Sequence, residues 1–174
     1  MNIEEKEISQ ASSPFIIAEM SGNHNQSLER ALEIVEAAAN SGAHGLKLQT
    51  YTPDTMTLDL AEGEFSISDE KSLWKGRSLY ELYQEAHTPW EWHKAIFDRG
   101  RELGLIVFST SFDETAVDFL EELDAPCYKI ASFENIDIPL IRKVAATGKP
   151  MIISTGMANI SELDETVRTA REHG

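Results

Sequence analysis

Five short apolar runs punctuate the chain: Phe15 to Glu19, His44 to Gln49, Leu105 to Thr110, Cys127 to Ala131 and Met151 to Ser154. Each precedes a segment whose apolar residues return every three or four positions, a pattern that predicts a strand and then a helix. The first helix opens at Ser27, a good N-cap. It carries Leu28, Ala31, Leu32, Val35 and Ala39 on one face and stops at Gly42. Thr88-Pro89-Trp90-Glu91 predicts a capping box with proline at the first helical position, for a helix that ends at Gly104. Asp113, Asp137 and Ser161 open three more, the second closing at Gly148 before Pro150. Trp90 and Trp92 fall within a helix and are expected to pack, and Cys127 is expected as a small buried strand residue. Residues 1–13 mix charge with Ser and Gln without apolar period, which predicts an irregular tail ahead of a domain over 14–174.

Repeated strand–helix units with short connections mean parallel strands joined by right-handed crossovers. One connection breaks the rhythm: from Thr50 to about Arg77 the chain is rich in Asp, Glu, Ser and Gly, too long for an ordinary link and therefore functional or mobile. A short helix, Ser78 to Ala86, is expected after it. Five such units fit a doubly wound sheet or the start of a barrel. The doubly wound sheet requires a glycine-rich phosphate turn after its first strand, and Glu19-Met20-Ser21-Gly22-Asn23-His24 is not one. The predicted fold class is therefore α/β, a partial (β/α)8 TIM barrel made of its first five βα units. A complete barrel takes roughly 250 residues, so a partial polypeptide with unpaired edge strands is expected.

Charge narrows the partners. With 15 basic and 30 acidic side chains the formal charge is −15, and no basic stripe is present to hold nucleic acid or an anionic membrane. The single cysteine excludes a disulfide framework and a cysteine zinc site, and the amino terminus is acidic (Glu4, Glu5, Glu7), so the expected compartment is the cytoplasm. The scattered His44, His87, His93 and His173 match no metal-ligand spacing. His24, in Asn23-His24-Asn25, is open to two readings, a substrate contact and a loop cap.

In a (β/α)8 barrel the chemistry sits where strands end. Glu19 ends the first strand, Lys47 and Gln49 lie in phase on the second, and Ser109 and Thr110 close the third. Lys129 sits in the fourth with Ser132 and Glu134 just beyond it, and Ser154 ends the fifth. Leu46 and Leu48 suit packing against helices, which turns Lys47 and Gln49 inward; Tyr128 and Ile130 turn Lys129 inward in the same way. Two ammonium groups thus enter one small lumen, where charge without a counter-charge is costly. Glu19 and Glu134 could neutralise them as a structural network. Alternatively the lysines and the hydroxyls of Ser109, Thr110, Ser132 and Ser154 await an anionic small molecule bearing phosphate and carboxylate.

These blocks resemble the sialic acid synthase family. The resemblance is carried by Phe15-Ile16-Ile17-Ala18-Glu19 with Asn23-His24-Asn25, by Gly45-Leu46-Lys47-Leu48-Gln49 and by Phe108-Ser109-Thr110-Ser111-Phe112-Asp113. It continues through Tyr128-Lys129-Ile130-Ala131-Ser132 with Glu134 and Ile153-Ser154-Thr155-Gly156-Met157. The insert, with Glu62-Gly63-Glu64-Phe65 and Ser72-Leu73-Trp74 through Trp92-His93, is most similar to the pseudaminic acid synthase branch. The resemblance covers the first part of the family's barrel. It implies condensation of phosphoenolpyruvate (PEP) with an N-acetylated amino-sugar aldehyde to a nine-carbon 2-keto sugar acid, with release of phosphate. It further implies that Lys47, Thr110, Lys129, Ser132 and Ser154 grip PEP, that Glu134 is the acid–base carboxylate, and that Glu19 contacts substrate hydroxyls. Gln49 and Asn23 are expected among the substrate-binding residues. By the same resemblance a divalent ion, Mn2+ or Mg2+, serves the complete enzyme through histidines on later strands, and the full-length protein is a homodimer. Ser111 stands where many relatives have proline, and the chain by itself is expected to be inactive. Two rival readings remain open: a class I aldolase with Lys47 or Lys129 as Schiff-base nucleophile, and a non-catalytic half-barrel that binds or pairs through its edges.

Overall fold

The computed structural model describes all 174 residues, Met1–Gly174. A two-stranded hairpin, β1 (Asn2–Ile3) and β2 (Lys6–Glu7), comes first. Five parallel strands follow: β3 (Ile17–Glu19), β4 (Gly45–Thr50), β5 (Ile106–Ser111), β6 (Tyr128–Ile130) and β7 (Met151–Ile153). They pair in strict chain order, β3-β4-β5-β6-β7. A doubly wound sheet reverses its strand order at a switch point; this one never does, so it is the wall of a barrel.

Alternation sorts the side chains into two faces. Register places Glu19 beside Lys47 and Lys47 beside Phe108, and runs Gln49, Thr110, Lys129 and Ile152 across four strands. Those residues face the lumen. Leu46, Leu48, Val107, Tyr128 and Ile130 take the other face and form the main core with the helices. α1 (Leu28–Asn40) contributes Ala31, Val35 and Ala38, and α4 (Trp90–Glu102) contributes Ile96 and Phe97. α5 (Glu114–Glu122) adds Val117 and Leu120, and α6 (Ile138–Ala145) adds Leu140, Ile141 and Val144. α7 (Ile160–His173) closes the series.

The caps follow the sequence in most places. Ser27, Asp113 and Asp137 accept backbone N–H groups at the starts of α1, α5 and α6. Two expected caps are corrected. The cap of α7 lies two residues before Ser161, because Asn159 and Glu162 form the capping box there. Thr88 does not cap α4: Pro89 occupies the cap position without a side-chain bond, and the Thr88 hydroxyl meets His24 Nε2 at 3.1 Å. His24 is therefore a buried anchor between the β3–α1 turn and α4, with its Nδ1 accepting Gln26 N–H at 3.2 Å. Trp90 stacks on Phe119 with centroids 4.6 Å apart, as a packing residue should.

The expected amino-terminal tail is also corrected. The hairpin carries Ile3, 1% exposed, against Ile106, Phe108 and Cys127, with Phe15, Ile17 and Ile152 around them. Ile3 makes no period in the sequence, yet with the residues around it closes the lower end of the lumen with an apolar layer. Cys127 lies in that layer, where burial pushes its thiol up to about 12, so it stays an uncharged packing group. The long connection is ordered too. It folds as α2 (Pro53–Met56), a 3-10 turn at Gly63–Phe65, a bridge between Ser66 and Ser78, and α3 (Leu79–Ala86), whose Ser78–Glu81 capping box starts the helix.

A second polar set sits between sheet and helix. Thr50 Oγ1 lies 2.6 Å from Ser109 Oγ and 2.9 Å from Nε2 of the fully buried His93 on α4. Ser109 therefore faces outward, away from the lumen; neighbours on a strand cannot share a face, and Thr110 has the inward place. Desolvation lowers the His93 imidazole to about 4.

Two outcomes are expected of this packing. A Cβ on Gly100 of α4 would stand 2.3 Å from Cγ2 of the buried Val107. Gly100→Ala gains about 1 kcal/mol of helix propensity but costs about 1–3 kcal/mol in overpacking against a stiff β-branched side chain. The net effect is a lower melting temperature, read by calorimetry; an unchanged or raised value contradicts this packing. Because His93 is neutral when folded, its contribution to stability is complete above the unfolded value of 6.5. That contribution is lost as pH falls towards 4, a change on the order of 3 kcal/mol. His93→Gln removes close to one proton from the slope of unfolding free energy against pH in that window, measured by denaturant titration.

Candidate active site

Above the apolar floor the lumen becomes polar two residues further along each strand. Lys47 Nζ donates to Glu19 Oε1 at 2.7 Å and to Thr110 Oγ1 at 3.4 Å, and its side chain is 15% exposed against 46% for Glu19. Lys129 Nζ donates to Ile130 O and to Ser154 Oγ, both at 2.6 Å. The two lysines thus differ in kind. Lys47 is already matched by a carboxylate, whereas Lys129 rests on neutral oxygens. Burial pulls the Lys129 ammonium below the ordinary lysine range, and the Lys47 charge pulls it further. The Lys47 charge reaches Lys129, which places both amines within one field.

Glu134 stands at the lip, in a 3-10 turn (Glu134–Ile136) just past β6. Its Oε2 is buried and has no hydrogen-bond partner. Burial raises its carboxyl above the usual range, against the opposing pull of Lys129. A carboxyl held this way moves a proton more readily at neutral pH than a solvated one. The turn that bears it is tied down by Asn135, whose Nδ2 donates to Ser154 O at 3.1 Å and Gly156 O at 3.2 Å, while Thr166 Oγ1 donates to Asn135 O. Gly156 lets the next loop approach Ser132: a Cβ there would stand 3.0 Å from Ser132 Oγ. Asn135 escaped the sequence reading because it lies out of strand phase; its place directly after Glu134 was the available signal.

Of the expected residues, Glu19, Lys47 and Thr110 form one hydrogen-bonded set and Lys129 and Ser154 a second, side by side at the upper end of the lumen. Gln49, Ser132 and Glu134 border the cleft that opens beside it, about 640 Å3 in volume. Ser21 Oγ donates to Gln49 Oε1 at 3.2 Å and so orients that amide. Asn23 is spent locally, its Nδ2 donating to Met20 O at 2.8 Å within its own turn. Ser109 is outside the group, as described above. No three His, Cys, Asp or Glu side chains converge anywhere in the chain, so the residues present do not build a metal centre by themselves. No helix is long and apolar enough to cross a membrane.

Comparison with known proteins agrees with the fold. The pseudaminic acid synthase of Helicobacter pylori is 49% identical over 158 residues, covering 91% of this chain and 46% of that protein. The N,N'-diacetyllegionaminic acid synthase of Legionella pneumophila is 35% identical over 162 residues, covering 91% of this chain and 44% of its own length. Among solved structures, the spore coat polysaccharide biosynthesis protein SpsE of Bacillus subtilis superposes with a TM-score of 0.79 at 33% identity, covering 100% of this chain and 45% of that one. The chain thus spans less than half the length of these relatives, and its five βα units are the corresponding part of their barrel. The model of the NeuB family matches residues 34–174, and the chain belongs to that family.

Proposed function

We propose that the protein condenses phosphoenolpyruvate with an N-acetylated amino-sugar aldehyde, giving a nine-carbon 2-keto sugar acid of the pseudaminic or sialic acid type and inorganic phosphate. The observation that carries this reading is the pair of mutually repelling ammonium groups, Lys47 and Lys129, beside a carboxyl with a bare buried oxygen. Relatives whose names are those of nonulosonic acid synthases support it.

PEP is a small molecule with anionic groups at both ends. Lys129, lacking a carboxylate partner, takes one of them, with the Ser154 hydroxyl already in its first ring of contacts. Lys47 takes the other with Thr110, loosening its hold on Glu19. The freed Glu19 carboxylate then accepts hydroxyls of the sugar. Ser132 closes the grip from the lip. Holding both ends of PEP fixes the direction of its C3 towards the aldehyde carbon, and orientation of this kind supplies much of a bimolecular rate enhancement. Glu134 holds or moves the proton at its Oε2, serving the water that adds to C2 before phosphate leaves. A divalent ion, Mn2+ or Mg2+, belongs to the proposal for the complete enzyme. The side chains present here do not make its site, so each step above is assigned to the chain's own groups. A cytoplasmic homodimer is the proposed form of the full-length protein.

The test is phosphate release from PEP by the full-length protein with a panel of mono- and di-N-acetylated aminohexoses. Lys129→Met should lower kcat/KM for PEP by about 100-fold or more. Glu134→Gln should lower kcat by about 100- to 10,000-fold with KM for PEP little changed. Phosphate release undiminished in both variants removes the proposal.

A pH profile supplies the second expectation. The depressed Lys129 loses its proton at lower pH than a free lysine, so affinity for the PEP anion falls as pH rises through that value. Lys129→Arg keeps the charge at any accessible pH and should move this alkaline limb upward. A limb in the same place in both proteins assigns it to another group.

A further inference from the structure

The turn that bears Glu134 is not seated by buried carbon. Of the apolar side chains at its two ends, Phe133 is 72% exposed and Ile136 57% exposed, so neither fastens it to the barrel. The residue between Glu134 and Ile136 faces the other way. Asn135 is 1% exposed, a polar side chain in a place where burial ordinarily selects an apolar one.

A buried amide is tolerated where it finds hydrogen-bond partners. Those of Asn135 come from two further elements. Its Nδ2 donates to Ser154 O at 3.1 Å and to Gly156 O at 3.2 Å, both in the loop after β7. Its own carbonyl accepts the hydroxyl of Thr166, also buried, from α7. The two carbonyls fix the orientation of the amide, because only its nitrogen can donate to both. One residue thereby joins the loop after β6, the loop after β7 and α7.

The far end of this clamp reaches the lysine. Ser154 is held at its N–H by Ile130 O at 3.0 Å and at its carbonyl by Asn135, and its Oγ accepts Lys129 Nζ at 2.6 Å. Asn135 therefore stands between two groups of the site: the Glu134 carboxyl belongs to its chain neighbour, and the Lys129 ammonium lies one serine away. The charged groups around the carboxyl are Lys129, which draws its proton affinity down, and Asp137 at the start of α6, which draws it up. Glu162 of α7 lines the small hollow beside Asn135. Burial is the larger cause and keeps the Glu134 carboxyl above the usual range, a state that lasts only while the turn stays seated.

We propose that Asn135, braced by Thr166, is a positioning residue that holds the Glu134 carboxyl buried beside Lys129. It acts through Glu134 and Ser154. The inference rests on the PEP condensation reading and adds to it what sets the acid–base group in place. Asparagine is the residue type the position demands. Aspartate would turn an oxygen towards two carbonyl oxygens, and leucine, of similar shape, would leave both carbonyls bare.

The test follows phosphate release by the full-length protein, with PEP and sugar varied and pH scanned. Asn135→Leu should lower kcat by about 100-fold, as expected of an ångström-scale misplacement, with a smaller change in KM for PEP. It also lets water reach the carboxyl, so the pH limb that belongs to Glu134, identified as the limb absent from Glu134→Gln, should move to lower pH. Thr166→Val removes the brace and should shift the limb the same way and lower kcat about tenfold. Thr166→Ser, which keeps the hydroxyl, should restore both. The position of a pH limb does not depend on how much of a preparation is folded, and the Thr166 pair decides the matter if Asn135→Leu does not fold. A limb that stays in place in every folded variant of the two positions, whatever happens to the melting temperature, reduces Asn135 to a packing residue and overturns the proposal while leaving the condensation intact. Absence of phosphate release with every sugar in the parent protein overturns the condensation reading and the positioning role with it.

Discussion

The mutual repulsion of Lys47 and Lys129 is the constraint around which the site is arranged. Parallel strands in sequential order, each alternating in and out, leave these two amines no choice but the same lumen. The arrangement is tolerable because each amine has a different remedy: one has a carboxylate, the other a depressed affinity for its proton. The apolar floor of Ile3, Ile106, Phe108 and Cys127 sharpens the contrast, since it withholds water from below and leaves only the upper side to supply compensation. The polar layer and the floor are consecutive steps along the same strands, so the site is inseparable from the way the barrel wall is made.

Much of this could be read from residue order. The alternation in Gly45-Leu46-Lys47-Leu48-Gln49 and Tyr128-Lys129-Ile130 is unambiguous, because large apolar residues flank each lysine, and the structure turns them as that pattern requires. Strand β5 is different. In Phe108-Ser109-Thr110-Ser111 three small hydroxylic residues follow one another, and nothing in their chemistry tells which faces in; the register with Gln49 and Lys129 decides it. The hairpin was illegible for a related reason: Ile3 is buried by a distant strand, and a single apolar residue has no periodicity. Asn159 displaced Ser161 as a cap because both are good caps, and Glu162 lies at the capping-box spacing from Asn159. Thr88 was read as a cap on local grounds, and a histidine sixty-four residues away claimed its hydroxyl.

The connection between β4 and α4 shows how a barrel can be altered without disturbing its strands. Its elements before α3 are too short to carry helical period, and its residues are held by one internal side-chain contact and by contacts to the β3–α1 turn and α4. Such a segment adds a wall to one side of the mouth while leaving the lysine layer untouched. The strand-end polar groups and the loop beside them therefore come from different parts of the chain, and each can change without the other.

The Glu19–Lys47 ion pair carries one more consequence. Any anion entering the lumen competes with a tethered carboxylate that never diffuses away. A monovalent guest offers Lys47 little that Glu19 does not already provide, so it gains almost nothing by displacing it. A guest with two separated charges would recover the difference at Lys129, so the pair disfavours simple anions at Lys47 alone.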